Sequence, residues 1–198
     1  MSEVGTDGMT MRDLAAASGV APGTLYNRFG SKDQVVSMAV LDHFETVIRS
    51  RLTDYADAKT PLDKMMAILE LIAGDCIRGP TFARALMSTY FKVGSEERIL
   101  APLYQALYDS WLPLIEQMHQ ANLLKPWALP RMLCVEMCDR EFGVVMKWAQ
   151  GDVPDGDFQE RSSFAVLLVL QGASQGRQAK AIESRLESIS DRVAKTYI

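Results

Sequence analysis

A short set of polar side chains near the start of the chain has the chemistry to contact a nucleic acid. Thr24, Tyr26, Asn27 and Lys32 supply two hydroxyls, an amide and an ammonium within one short stretch. Asparagine can pair with adenine through two hydrogen bonds, and hydroxyl and ammonium groups donate to phosphate oxygens. These groups are useful together only if the local fold presents them on one surface, so the elements that carry them decide the interpretation.

The first of these elements is a short helix that the sequence predicts to begin after Thr10. Thr10 with Asp13 three residues later is typical of an N-cap with an acidic third position. Gly19 can adopt the left-handed conformation that ends a helix, and Val20 follows it as an apolar contact. The predicted apolar face of this helix consists of Leu14, Ala15 and Ala17.

A second short helix is predicted from Pro22, which suits a first helical position because its missing N–H has no partner there. Leu25 and Phe29 lie four apart and share one face. Thr24, Tyr26 and Asn27 are therefore left on other faces. A helix, a glycine turn and a second short helix form the helix-turn-helix pattern, whose second helix enters the DNA major groove.

At these residues the chain resembles the tetracycline-repressor (TetR) family of bacterial transcriptional regulators. The matching features are TMRDLA, GVAPGTLYNRF, and SK two residues beyond the phenylalanine. The resemblance covers about the first fifty residues. It implies an all-α fold, with a helix-turn-helix DNA-binding domain at 1–50 and a larger helical effector-binding and dimerisation domain at 51–198.

The resemblance also implies roles for single residues. Tyr26 and Lys32 match the family's phosphate-contacting positions, and Ala21, Gly23, Thr24 and Asn27 match its groove-facing ones. By geometry, Gly23 also allows close approach of the backbone, and the helix N-terminus at Pro22 offers N–H groups to a phosphate. An alternative is that Tyr26 only packs at the surface. The predicted DNA-binding residues are Thr10, Ala21, Pro22, Gly23, Thr24, Tyr26, Asn27 and Lys32.

Two features of the N-terminal region do not favour DNA binding. In the family a first helix precedes the helix-turn-helix, but Met1–Gly5 is similar only to its last turn, so that helix is expected to be missing or truncated. Leu14, Val20, Leu25 and Phe29 would then be exposed, at a cost of about 1.5–3 kcal/mol for each large side chain. Residues 1–50 also carry six acidic and four basic side chains, and the whole chain has a net charge of −4.

The remainder of the sequence is predicted to be helical. A helix is expected from Ser31 to about Asp54, and another from Thr60-Pro61 to Gly79-Pro80. A longer one, with a kink at Pro113, is expected around residues 100–118. The last three predicted helices are Arg131–Gln150, Phe158–Leu170 and Arg177–Tyr197. The first two of these are candidates for a four-helix dimer interface, and the third could pack on its own domain or on a partner.

Methionine and aromatic side chains in the larger domain are candidates for an apolar effector pocket. The sequence has eleven methionines, whose flexible side chains adapt to irregular ligands. The same pattern is also typical of an ordinary helical core. The candidate residues are Met87, Tyr90, Phe91, Tyr104, Tyr108, Trp111, Met118, Met137 and Phe142.

Catalytic, metal and membrane functions have no support in the sequence. Cys134 and Cys138 lie four apart, but the two histidines, His43 and His119, have no partner spacing, so buried free cysteine is the better interpretation. No cofactor is predicted. No apolar run approaches the roughly 20 residues that a membrane span needs. Three cysteines with no secretion signal favour the cytoplasm.

These observations predict a ligand-responsive transcriptional regulator, most naturally a repressor. It would bind a near-palindromic duplex operator as a homodimer and be released by a small apolar effector. Two recognition helices must lie about 34–36 Å apart to meet successive major grooves, which is why a dimer is expected. The alternative is a ligand-binding or scaffold protein of the same fold that no longer binds DNA.

Overall fold

The computed structural model describes residues 10–32, 59–81 and 101–193, with scattered positions between 34 and 46 and between 83 and 87. The secondary-structure elements in these ranges are helices. An isolated antiparallel β-bridge between Leu124 and Ser174 is also present there. The all-α prediction is confirmed. The helices are α1 (Met11–Ser18), α2 (Pro22–Phe29), α3 (Pro61–Arg78), α4 (Ala101–Gln120), α5 (Pro130–Gln150), α6 (Asp155–Ala173) and α7 (Gly176–Val193).

Local capping interactions explain where several helices begin. Thr10 caps α1 and Thr60 caps α3, in each case with an aspartate three residues later that bonds back to the cap backbone. The Ser31 hydroxyl accepts from the Gln34 amide at 3.2 Å, and the described positions between 32 and 46 are helical, as predicted for the helix after α2. Each cap satisfies N–H groups that would otherwise lack partners in the first turn.

The larger domain is built around α5 and α6, which pack extensively on each other. On other sides α4 packs on α5, α3 packs on α4 and α6, and α7 packs on α6. The apolar segment 165–171, for which a strand is conceivable on local grounds, lies within α6. α7 packs on its own chain, where Arg185 forms an ion pair with Asp63 at the start of α3.

Buried side chains form two clusters in the larger domain. The main core draws on α3 to α7 and includes Trp111, Met118 and Met137, each with no exposed surface. The second core comprises Ala73, Met87, Val144, Val145, Trp148, Val153 and Phe158. A separate small cluster, the head core, joins α1 and α2 through Met11, Ala15 and Leu25.

The predicted face of α1 needs one correction. Ala15 is 1% exposed, as expected, but Ala17 is exposed and Met11 is 5% exposed in its place. Met11 and Ala15 are four apart and share a face, whereas Ala17 lies about 200° around the helix from Ala15.

Several predictions fall on residues outside the described part of the chain. These are the truncated first helix at Met1–Gly5, the domain boundary at 50/51, and the pocket residues Tyr90 and Phe91. Pro102 lies in the first turn of α4, and Pro113 lies inside this helix, which continues to Gln120.

Candidate nucleic-acid interface and effector core

The turn between α1 and α2 is fixed by backbone geometry at Gly19. Its φ of 67° is left-handed, and its amide bonds back to carbonyls of the last turn of α1. The Val20 amide also bonds to the Ala15 carbonyl, at 3.1 Å. This arrangement closes α1 and redirects the chain at once into α2, and a non-glycine residue at position 19 would be strained.

The faces of α2 separate as the sequence predicts. Leu25 is 7% exposed in the head core, while Tyr26 is 53% exposed, and Thr24 and Asn27 are also exposed. Phe29 is half-buried against the same core. The buried leucine therefore fixes the rotation of α2, and its hydrogen-bonding side chains face solvent. This is the arrangement that a recognition helix requires.

The N-terminus of α2 is open to an outside partner. Ala21 is the N-cap residue and supplies no side-chain hydrogen bond to the first turn. A Cβ added to Gly23 would meet no atom within 4 Å, so packing inside the chain does not demand glycine there. Pro22 has no N–H and the Thr24 N–H donates to the Ala21 carbonyl at 2.9 Å, so Gly23 supplies the N–H that suits a phosphate. It points along the helix axis and carries partial positive charge.

Thr10 and Lys32 lie at the margins of this surface. The Thr10 hydroxyl and the Thr10 backbone N–H both donate to a carboxylate oxygen of Asp13, at 2.7 and 2.8 Å. These two hydrogen bonds lower the pKa of Asp13. A phosphate contact by Thr10 would require that hydroxyl to exchange its partner. Lys32 is half-buried and lies just after α2, at the start of the next helical stretch.

The local charge of the helix-turn-helix differs in sign from that of the chain. Between Thr10 and Lys32 the basic side chains are Arg12, Arg28 and Lys32, whereas the acidic side chain is Asp13. The other acidic groups of the N-terminal region lie outside this stretch. The segment that carries the recognition helix is therefore net positive, although the whole chain carries −4. Positive charge at the contact surface matters more for phosphate binding than the total charge.

The structure divides the predicted pocket residues between the two cores. Trp111, Met118, Met137 and Phe142 are buried in the main core, and Tyr104 and Tyr108 pack against it. The Tyr104 hydroxyl donates to Asp139 at 2.9 Å, and the rings of Tyr104 and Phe142 lie 5.4 Å apart. Met87 lies in the second core.

Trp111 has an unusual environment for a core tryptophan. Its side chain has no exposed surface, yet its indole N–H has no hydrogen-bond partner among the described residues. A buried donor without an acceptor costs about 1–3 kcal/mol. Groups of this kind are expected where a ligand or an ordered water supplies the missing partner.

Sequence reasoning missed a second buried polar group, Glu141. It is 1% exposed, and its Oε1 accepts from the Ser162 hydroxyl of α6 at 3.1 Å. A signal for its burial exists in the sequence, because Glu141 continues the four-three spacing of the buried stripe on α5. That stripe contains Cys134, Cys138, Val145 and Trp148.

Asp155, the first residue of α6, has a structural role where this helix meets α5. One carboxylate oxygen of Asp155 accepts from the Trp148 indole at 2.7 Å and from Arg84 at 3.0 Å. The Arg84 guanidinium also lies 5.1 Å from the centre of the Trp148 ring, and Trp148 stacks on Phe158 at 4.8 Å. We call this group the Asp155 junction.

Comparison of the sequence with known proteins identifies the family of this chain. A family model for bacterial regulatory proteins, tetR family, matches residues 1–38. The HTH-type transcriptional repressor Rv3405c of Mycobacterium tuberculosis is 36% identical over 150 residues, covering 76% of this chain and 71% of that protein. The chain belongs to the TetR family. It is a DNA-binding transcriptional regulator and not an enzyme.

Solved structures of TetR-family proteins share the fold. A regulator from Rhodococcus sp. has a TM-score of 0.62 at 18% identity, covering 85% of this chain and 92% of its own. Thermus thermophilus FadR, solved with lauroyl-CoA, has a TM-score of 0.64 at 17% identity, covering 86% and 89%. Among the residues that our structure describes, no helix is long and apolar enough to cross a membrane. The same residues contain no metal-binding group of three or more His, Cys, Asp or Glu side chains.

Proposed function

We propose that this TetR-family regulator is a repressor that binds a near-palindromic duplex operator as a homodimer and is released by a small apolar effector. The observation that carries the proposal is the orientation of α2, where Leu25 is buried and Thr24, Tyr26 and Asn27 face solvent. Residues 1–50 would form the DNA-binding domain, and 51–198 the effector-binding and dimerisation domain.

In this proposal the contacts divide between phosphates and bases. Tyr26, Lys32 and the open first turn at Pro22–Gly23 bind phosphates, which supports affinity without sequence preference. Thr24 and Asn27 reach base edges, where asparagine can pair with adenine. Ala21 lies at the groove-facing N-cap, and Thr10 lies at the edge of the surface. Repression is supported by the named function of the Mycobacterium tuberculosis relative.

The dimer would form through α5 and α6. Met132 is 64% exposed, Leu168 is 50% exposed and Val135 is 38% exposed, although all three belong to helices that also supply the main core. Apolar side chains exposed on two adjacent helices are typical of an interface with a partner. Two copies of this pair would make a four-helix interface and fix the spacing of the two recognition helices.

The effector would bind in the main core near Trp111, whose N–H lacks an acceptor within the described ranges. Met118, Met137 and Phe142 supply the apolar surroundings there. The lauroyl-CoA complex of Thermus thermophilus FadR supports a ligand site of this character in the same fold. An effector can release DNA only by binding more tightly to a dimer shape with the wrong recognition-helix spacing.

The direct test is selection of duplexes from a random pool, followed by salt titration of the selected complex. We expect a near-palindromic site whose affinity falls steeply with salt, because counterions are released from each neutralised phosphate. If no selected duplex binds better than bulk DNA at low salt, the regulator does not recognise an operator. The ligand-binding or scaffold alternative would then hold.

A pair of glycine variants makes the test specific. At both Gly23 and Gly156 an added Cβ would meet nothing within 4 Å, so alanine should be accommodated at either position. Gly23→Ala should weaken binding of the selected duplex by about tenfold, because the methyl group would stand between α2 and the DNA backbone. Gly156→Ala, at the start of α6, should bind as tightly as the wild type. Equal binding by all three proteins would place the DNA away from α2.

A further inference from the structure

The interior of the larger domain contains a carboxyl group whose hydrogen bonding is incomplete. Glu141 is 1% exposed, and its Oε1 accepts one hydrogen bond, from Ser162. Its Oε2 is buried and has no hydrogen-bond partner in the part of the chain that the structure describes. A carboxylate oxygen can accept two hydrogen bonds, so the free energy cost of this burial is only partly offset.

Three helices converge on this group. Glu141 belongs to α5 and Ser162 to α6, while on α3 the Cys76 thiol lies close enough for the Glu141 charge to affect it. Burial is the main reason that the pKa of Cys76 is raised to about 12, and the charge of Glu141 contributes a smaller part of that rise. Glu141 follows Cys138 of the main core and precedes Val144 of the second core, so the carboxyl group lies where the two cores meet.

The group that would complete this site is a cation. The ion pairs found within the described ranges do not include Glu141. Burial raises its pKa to about 7, and the Ser162 hydrogen bond opposes that rise only in part. A carboxylate in apolar surroundings with no ion pair among the described residues is stabilised either by a proton or by a positive ligand.

We propose that Glu141 and Ser162 form the polar end of the effector site and select an apolar molecule that carries a protonated amine. The inference rests on the proposed effector site in the main core and specifies its ligand. The ammonium donates to Oε2 of Glu141, while Ser162 holds Oε1 and fixes the direction of the carboxylate. The apolar part of the ligand lies against methionine and aromatic side chains. A ligand carboxylate at the same position is repelled by Glu141.

The test compares three amphiphiles of equal chain length, octylamine, octanol and octanoate, in titrations followed by tryptophan fluorescence. The wild type should bind octylamine at least about tenfold more tightly than octanol, because a charge-assisted hydrogen bond replaces a neutral one. Octanoate should bind most weakly. Equal affinities for octylamine and octanol in the wild type overturn the proposal without any variant.

Two variants assign the preference to the buried carboxyl. Glu141→Gln keeps an acceptor for the Ser162 hydroxyl and removes the charge, so the advantage of octylamine should disappear. Glu70→Gln removes an exposed glutamate of α3 and should keep it. Loss of the preference in both variants means that octylamine responds to overall charge, and retention in both means that it binds elsewhere. Either result overturns the proposal.

The same amphiphiles separate this inference from the proposed function. If octanol or octanoate releases the selected duplex while octylamine has no advantage, the regulator function stands and the amine site is wrong. If octylamine binds through Glu141 but no duplex is ever selected, the amine site stands and the proposed operator-binding repressor function is wrong.

Discussion

Replacement of Glu141 by glutamine should make the protein more resistant to urea, and the gain should grow as the pH rises. Burial raises the pKa of Glu141 from 4.5 to about 7 in the folded chain. Between these values the unfolded chain releases the proton while the folded chain keeps it, so wild-type stability falls as the pH rises through this window. At about 1.4 kcal/mol for each pKa unit, the full loss is about 3 kcal/mol.

Urea unfolding at a single protein concentration measures this effect. Part of the loss is already present at about pH 5, so the stability difference between Glu141→Gln and the wild type should widen by about 2–3 kcal/mol on going to about pH 8.5. Glutamine keeps the acceptor for Ser162, so the comparison isolates the charge. Glu70→Gln, the exposed control, should differ from the wild type by the same amount at both pH values. Parallel pH profiles for wild type and Glu141→Gln would refute the reasoning.

Three further predictions follow from burial and exposure. Leu25→Ala should destabilise the head by about 2–5 kcal/mol because it empties the head core, whereas Tyr26→Phe should keep the thermal stability and weaken only DNA binding. Equal stability with equal loss of binding would show that the faces of α2 are reversed. Met132→Glu should raise the dimer dissociation constant measured by sedimentation, while Ile77→Glu, also at an exposed apolar residue, should leave it unchanged. Trp111→Phe should weaken an effector that releases DNA, and an unchanged affinity would place the pocket elsewhere.

The local parts of this fold can be read from the sequence because the interactions that create them span only a few residues. Thr10 with Asp13 and Thr60 with Asp63 predict two helix starts, and the structure contains both capping boxes. Gly19 predicts the turn because a left-handed residue is needed there. The orientation of α2 follows from the spacing of its apolar residues.

The features that sequence reasoning missed depend on distant residues. Arg185 pairs with Asp63 across 122 positions, and nothing local in α7 reveals that partner. Glu141 has the spacing of a core residue, but a glutamate is normally expected to be exposed. Its burial becomes understandable only with the hydrogen bond from Ser162 on the next helix, which the sequence does not reveal. The DNA and ligand contacts stay predictions, because each also depends on a second molecule.

The Asp155 junction combines one firmly held contact with one that is easily broken. The hydrogen bond from Trp148 to Asp155 joins α5 to α6. Trp148 is fully buried and stacks on Phe158, so packing holds this contact in place. The second contact is the ion pair of Arg84 with Asp155. The Arg84 side chain is 43% exposed, so this pair contributes only about 0–1 kcal/mol to stability. The Arg84 side chain can therefore leave Asp155 while α5 and α6 stay joined, although Met87, three residues later, is buried in the second core. A ligand that displaces the Arg84 side chain need overcome only this weak ion pair and the similarly small attraction of Arg84 to the indole ring.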